Sequence, residues 1–107
     1  PRNDIYKESW KELIWTPVRI RFELERAQIL SFVVQLECFF DDHGWLPIVR
    51  YDTAHGFAHR DTMRPEQETE KTELPVRNYK EGMNYAIDDI KANWQFYRRR
   101  YEEWLNK

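Results

Sequence analysis

The twelve residues RYDTAHGFAHRD, 50–61, hold two of the chain's three histidines, two arginines, two aspartates, a tyrosine and one of its three glycines. A histidine titrates near neutral pH and can take or give a proton there. An arginine can hold a phosphate through two donors and stabilise growing negative charge. His55, His59, Arg50 and Arg60, with Tyr51 and Asp52 to orient them, therefore supply the parts for metal-independent cleavage of a phosphodiester. RNA brings its own 2′-hydroxyl nucleophile to such a site.

Two other readings use the same residues. His55 and His59 with Asp52 or Asp61 offer donors for a metal, although four-residue spacing joins two imidazoles on a helix rather than on strand and turn. There is no second cysteine and no HExxH pattern. The third reading is structural: Arg50 pairs with Asp52 or Asp61, Asp52 caps the turn, His59 is hydrogen-bonded without reactivity and Gly56 supplies a backbone angle.

The elements around the stretch follow from hydrophobic period. VRIRFELER, 18–26, alternates apolar and charged residues as a half-buried strand does, and a second strand over 30–40 keeps Leu30, Phe32, Val34, Leu36, Cys38 and Phe40 in phase. DDHG, 41–44, is a hairpin loop, leading into a third strand over 45–53 with Pro47 near its start. FAHRDTM, 57–63, is a fourth, and EQETEKTE a charged, exposed edge strand. Alternation places Arg50 and Asp52 on one face, opposite Val49, Tyr51 and Thr53. It places Phe57, His59 and Asp61 together, opposite Ala58 and Arg60. If the third and fourth strands pair, His59 lies near Arg50 or Asp52, with His55 at the tip.

Two helices frame the sheet. DIYKESWKELI, 4–14, predicts a short one with Asp4 as N-cap and Tyr6, Trp10, Leu13 and Ile14 on one face. From Asn78 the period lengthens: Met83, Ile87, Ile90, Trp94, Tyr97, Tyr101 and Trp104 form one stripe, with Asn78 and Glu81 as a capping box. The expected fold class is α+β: a short N-terminal helical segment (1–16), an antiparallel meander of four to five strands (18–74) and a long C-terminal helix (78–106) packed on one face, all in a single domain of 107 residues.

Composition narrows the functions. Seventeen basic and nineteen acidic residues, net −2, give no global footprint for nucleic acid, so any such partner must meet a local patch. The lone Cys38 in an apolar strand reads as a buried thiol in a reducing compartment. No run reaches membrane-spanning length and none reads as a secretory signal, so a cytoplasmic protein is expected. Arg98, Arg99 and Arg100, between Tyr97 and Tyr101, read as a solvated helix face rather than a track for phosphates.

VRYDTAHGFAHRD, followed by a charged hairpin, EKTEL and a long C-terminal helix, resembles a family of small uncharacterised prokaryotic proteins, over most of residues 18–106. More distantly it is similar to TumE-type toxins of toxin–antitoxin pairs, in which an arginine–tyrosine–aspartate segment precedes histidines. That likeness matches Arg50, Tyr51, Asp52, His55 and His59, with Arg60 standing where a second hairpin histidine is expected. It implies a toxin-like protein acting on RNA, with His55 and His59 as acid and base, Arg50 and Arg60 on phosphate, Tyr51 and Asp52 as orienters, no cofactor, and a cognate antitoxin as partner. The alternative is a non-catalytic module that dimerises or joins a larger assembly through its aromatic helix.

Overall fold

The computed structural model describes residues 10–15, by their backbone, and residues 18–107. Strands β1 (Trp10–Trp15), β2 (Val18–Glu25), β3 (Gln28–Phe40), β4 (Gly44–Asp52), β5 (His59–Arg64) and β6 (Gln67–Glu73) precede one long helix, α1 (Tyr79–Leu105). Five strands, β2 to β6, form the expected antiparallel meander, and β1 extends it along the outer side of β2, so spatial order equals chain order.

The short N-terminal helix is not seen. Asp4 and Tyr6 lie outside the described residues, but Trp10–Trp15 is a strand, in register from Trp10↔Glu23 to Trp15↔Val18. An isolated helix of about a dozen residues is marginal in water. The open side of β2 instead offers a full ladder of backbone partners to a segment with two Trp and one Ile, and pairing overrides the helical spacing.

The hairpins are tight except at one place. Arg26 and Ala27, both at positive φ (50° and 64°), make a two-residue turn of the twist-matched type between β2 and β3. β3 and β4 are joined by residues 41–43, and β5 and β6 by residues 65–66. Between β4 and β5 the connection is residues 53–58, the longest among the described strands. A longer connection in an otherwise economical meander is where function concentrates.

One face of the sheet is covered by α1. Val18, Ile20, Phe32, Val34, Leu36, Cys38, Phe40, Val49 and Tyr51 point toward it, meeting Ala86, Ile90, Tyr97 and Tyr101. Burial pushes the Cys38 thiol up to about 11, so it stays protonated and behaves as core. The buried stripe differs from the expected one in the first half of the helix: Gly82 and Ala86 face the sheet, with Met83 and Ile87 on the flank. Small residues let the backbone approach closely. A Cβ at Gly82 would stand 3.1 Å from Ala58 Cβ and 3.2 Å from the Phe32 ring.

At the start of α1, Asn78 Oδ1 accepts from the Glu81 N–H at 2.8 Å, and Glu81 accepts from the Arg77 N–H at 3.1 Å. The capping box is thus shifted one residue back on its return arm. Further along, Arg98 lies over Phe40 and Arg100 over the Phe96, Tyr97 and Trp104 rings, while Arg99 is exposed. Two of the three arginines expected to be solvated therefore pack on aromatic faces. Among the described residues no helix is long and apolar enough to cross a membrane.

Candidate functional site

Strands β4 and β5 pair with Arg50 opposite Asp61, Tyr51 opposite Arg60 and Asp52 opposite His59. Because side chains alternate across the pleat, this register divides the 50–61 stretch between two faces. Tyr51 and Arg60 point toward α1; Arg50, Asp52, His59 and Asp61 point to the opposite face, which carries no helix among the described residues. The six residues expected to form one site are therefore not brought to one place.

On the helix side Tyr51 is fully buried and donates to Asp89 Oδ2 of α1. Tyr97 donates to the same oxygen at 2.6 Å, and Asn93 to Asp89 Oδ1 at 2.8 Å. Arg60 Nη1 lies 3.5 Å from both Asp89 Oδ2 and the Tyr97 hydroxyl. Burial acts to raise the Asp89 carboxyl, but the bonds from Tyr51, Tyr97 and Asn93 and the charge of Arg60 outweigh it and hold it below the usual value. Burial first, and then the bond to Asp89, push the Tyr51 hydroxyl far above the ordinary tyrosine range. A phenol locked under a helix in this way is a strut between layers; neither it nor Arg60 faces the histidines.

The open face holds the other half. His59, 1% exposed, has Nε2 2.8 Å from Asp52 Oδ1 and 3.4 Å from Asp61 Oδ1. Its Nδ1 lies 3.3 Å from the Phe57 carbonyl. Both ring nitrogens thus face oxygen acceptors, and Lys71 of β6 meets Asp61 Oδ1 at 3.1 Å. The 53–58 loop folds its own rings over the imidazole: His55 and Phe57 stand 5.5 and 5.4 Å from His59, centroid to centroid. The loop is held by the Ala54 N–H on Asp52 Oδ1 (3.2 Å) and the Gly56 N–H on the Thr53 carbonyl (3.1 Å), with Gly56 at φ 86°. That conformation costs glycine little. His55 remains exposed.

Arg50 shares this face, but its Nε donates to Gln35 Oε1 at 2.8 Å, in a polar row that continues through Glu37 to Arg19. In the next row the register sets Arg21, Val33, Asp52 and His59 side by side on β2, β3, β4 and β5. At the small Val33 a cleft of about 210 Å³ lies between Arg21 and Asp52, lined also by Ser31, Thr53 and Ala54. Arg21, Lys71 and Asp89 are not among the candidate residues of the sequence, and Tyr97 is expected only as part of the helix's core stripe. Arg21 and Lys71 fall on the right alternation phase of their strands. Asp89, Asn93 and Tyr97 are spaced four apart, one helical row.

The atoms able to hold a metal lie together at Asp52, His59 and Asp61, all within 4.8 Å of one another. Of the donors in the metal reading, His59, Asp52 and Asp61 belong to that group and His55 does not; its ring packs against that of His59. No curated protein and no solved structure matches the chain. A family model described as a domain of unknown function, DUF7718, matches residues 5–107, nearly the whole length, and the chain belongs to that family.

Proposed function

We propose that the open face beside the 53–58 loop acts on RNA, and that the distant likeness to TumE-type toxins reflects a shared use of this segment. The observation that supports the reading is the imidazole pair: an exposed His55 at the longest connection, stacked on a His59 that two carboxylates hold in place. A proton-transfer group needs reach to substrate and a fixed position. His55 has the first, and the His59 platform gives it the second.

In this reading His55 takes the 2′-hydroxyl proton as that oxygen attacks the neighbouring phosphorus. The bond from phosphorus to the 5′-oxygen breaks, and the leaving oxygen takes a proton from water. Arg21 lines the cleft and, with Arg50 in the adjoining row of the same face, would meet the phosphate; Asp52 and Asp61 orient His59. Tyr51 and Arg60 hold the sheet to the helix. A cognate antitoxin would act by covering His55 and the cleft. The alternative of a module working through its aromatic helix finds less support, since Tyr97 and Tyr101 are buried and Trp94 and Trp104 pack against the core.

The test is cleavage of labelled single-stranded RNA by the purified chain in the presence of chelator. Wild type and Tyr51→Phe should cut alike, and His55→Ala should be slower by about 100-fold or more. Equal rates for wild type and His55→Ala, or no cleavage at all, sink the proposal.

A further inference from the structure

We propose that Asp52, His59 and Asp61 bind one divalent first-row transition ion, zinc by donor class, as a clasp between β4 and β5 at the mouth of the 53–58 loop. Nitrogen and oxygen donors sit about 2.0–2.2 Å from such an ion, which sets neighbouring donors on one ion roughly 3 to 3.5 Å apart. His59 Nε2 is already 2.8 Å from Asp52 Oδ1 and 3.4 Å from Asp61 Oδ1. An ion in front of Nε2 would lie among three donor atoms that are all within 4.8 Å of one another. The Phe57 carbonyl facing Nδ1 at 3.3 Å is the outer partner that metal-bound imidazoles use, and it turns the Nε2 lone pair toward the carboxylates.

Charge around the three donors points the same way. Asp52 and Asp61 are 7% and 8% exposed, two carboxylates facing a single ring nitrogen. Lys71 of β6 meets Asp61 on the same oxygen that would ligate. Arg50, opposite Asp61 in register, is engaged by Gln35, and Glu73 stands opposite His59 on β6. Over the imidazole lie the exposed rings of His55 and Phe57, and Arg21 shares the row of Asp52 two strands away. A doubly charged ion would take the place of the Lys71 ammonium at Asp61 Oδ1. Binding therefore competes with protons and with Lys71, and three protein donors leave at least one position for water.

This inference does not rest on the RNA reading, because the titration contains no nucleic acid. The full chain, stripped with chelator and dialysed, is titrated with Zn²⁺ by calorimetry at two pH values. Thermal unfolding with added Zn²⁺ and the visible spectrum of Co²⁺ give second and third readouts. One equivalent should bind, raise the unfolding temperature, and bind more weakly at pH 5.5 than at pH 7.5, as the proton competes. Asp61→Asn should weaken binding by about tenfold or more, and Lys71→Met should strengthen it several-fold. Lys71 is on the exposed edge strand, so its variant should fold even if a change at buried His59 does not. His43→Ala, on the 41–43 hairpin loop, should change nothing. Absence of binding at millimolar Zn²⁺, or binding that ignores both Asp61→Asn and Lys71→Met, overturns the clasp. RNA cleavage with no Zn²⁺ binding would remove the clasp alone, and binding without cleavage the RNA reading alone.

Discussion

The two faces of the β4–β5 hairpin are built from one twelve-residue stretch, yet they are different kinds of surface. On the covered face, Tyr51 and Arg60 meet Asp89, Asn93 and Tyr97 in a network tied to the helix. On the open face, Asp52, Asp61 and His59 meet each other, Lys71 and the loop's own rings. The first set is bonded across layers and can only be strained by change. The second is bonded within one layer and lies under a loop, so its occupants can exchange with protons, ions or substrate. Residue type does not separate the two; cover by the helix does.

The largest effect expected is on the covered side. Asp89→Ala leaves the buried Tyr51 hydroxyl and the Arg60 guanidinium without their acceptor, and should cost about 3 kcal/mol in urea unfolding with an unchanged slope. A loss below about 1 kcal/mol would mean the network is ornamental and the contrast between faces is wrong.

Next is the alkaline limb of stability. Because the folded Tyr51 hydroxyl is raised, both states keep its proton below about pH 10, and its contribution is complete there. Above that, the unfolded chain releases the proton first, so stability falls by up to about 1.4 kcal/mol per pH unit for this group. Tyr51→Phe should remove one proton from that slope. Asp89 has the opposite sign: its depressed carboxyl contributes above the ordinary carboxylate value, and the contribution is lost as pH falls through the folded value.

A smaller effect tests how tightly the covered face is seated. Gly82→Ala gains about 1 kcal/mol of helix propensity. The new Cβ, however, meets Ala58 and the fixed Phe32 ring at 3.1 and 3.2 Å. A net loss of about 1 kcal/mol is expected in thermal or urea unfolding. A gain would show that α1 rides higher on the sheet.

The smallest stability effect should be at His55. His55→Ala removes an exposed side chain and should shift stability by less than about 0.5 kcal/mol. Its effect belongs entirely to the cleavage assay, and a large loss of stability would move His55 from the reactive set into the structural one.

Strand alternation already assigned Arg50 and Asp52 to one face and Tyr51 to the other, and His59 and Asp61 to a face opposite Arg60. The structure keeps those assignments. A six-residue site that included Tyr51 and Arg60 mixed two faces that this alternation separates. The closeness of His59 to Asp52 was legible for the same reason, since one hairpin register decides it. Asp89 was not legible as a site neighbour. It lies beside Asp88 on a helix whose rotation over the sheet depends on Gly82 and Ala86 reaching Phe32 and Ala58, a contact between segments far apart in the chain. Over Trp10–Trp15 the expected N-terminal helix gave way for a related reason: helical spacing competed with a partner strand that local sequence does not reveal.

By itself, the order of residues determined the meander, the long helix and which side chains of each strand share a face, because period and turn chemistry act over a few neighbours. Only tertiary structure decided which of those faces the helix covers, where Asp89 meets Tyr51, and that His55 comes to rest on His59. Those outcomes depend on packing between layers, where close approach and cover from water depend on residues tens of positions apart.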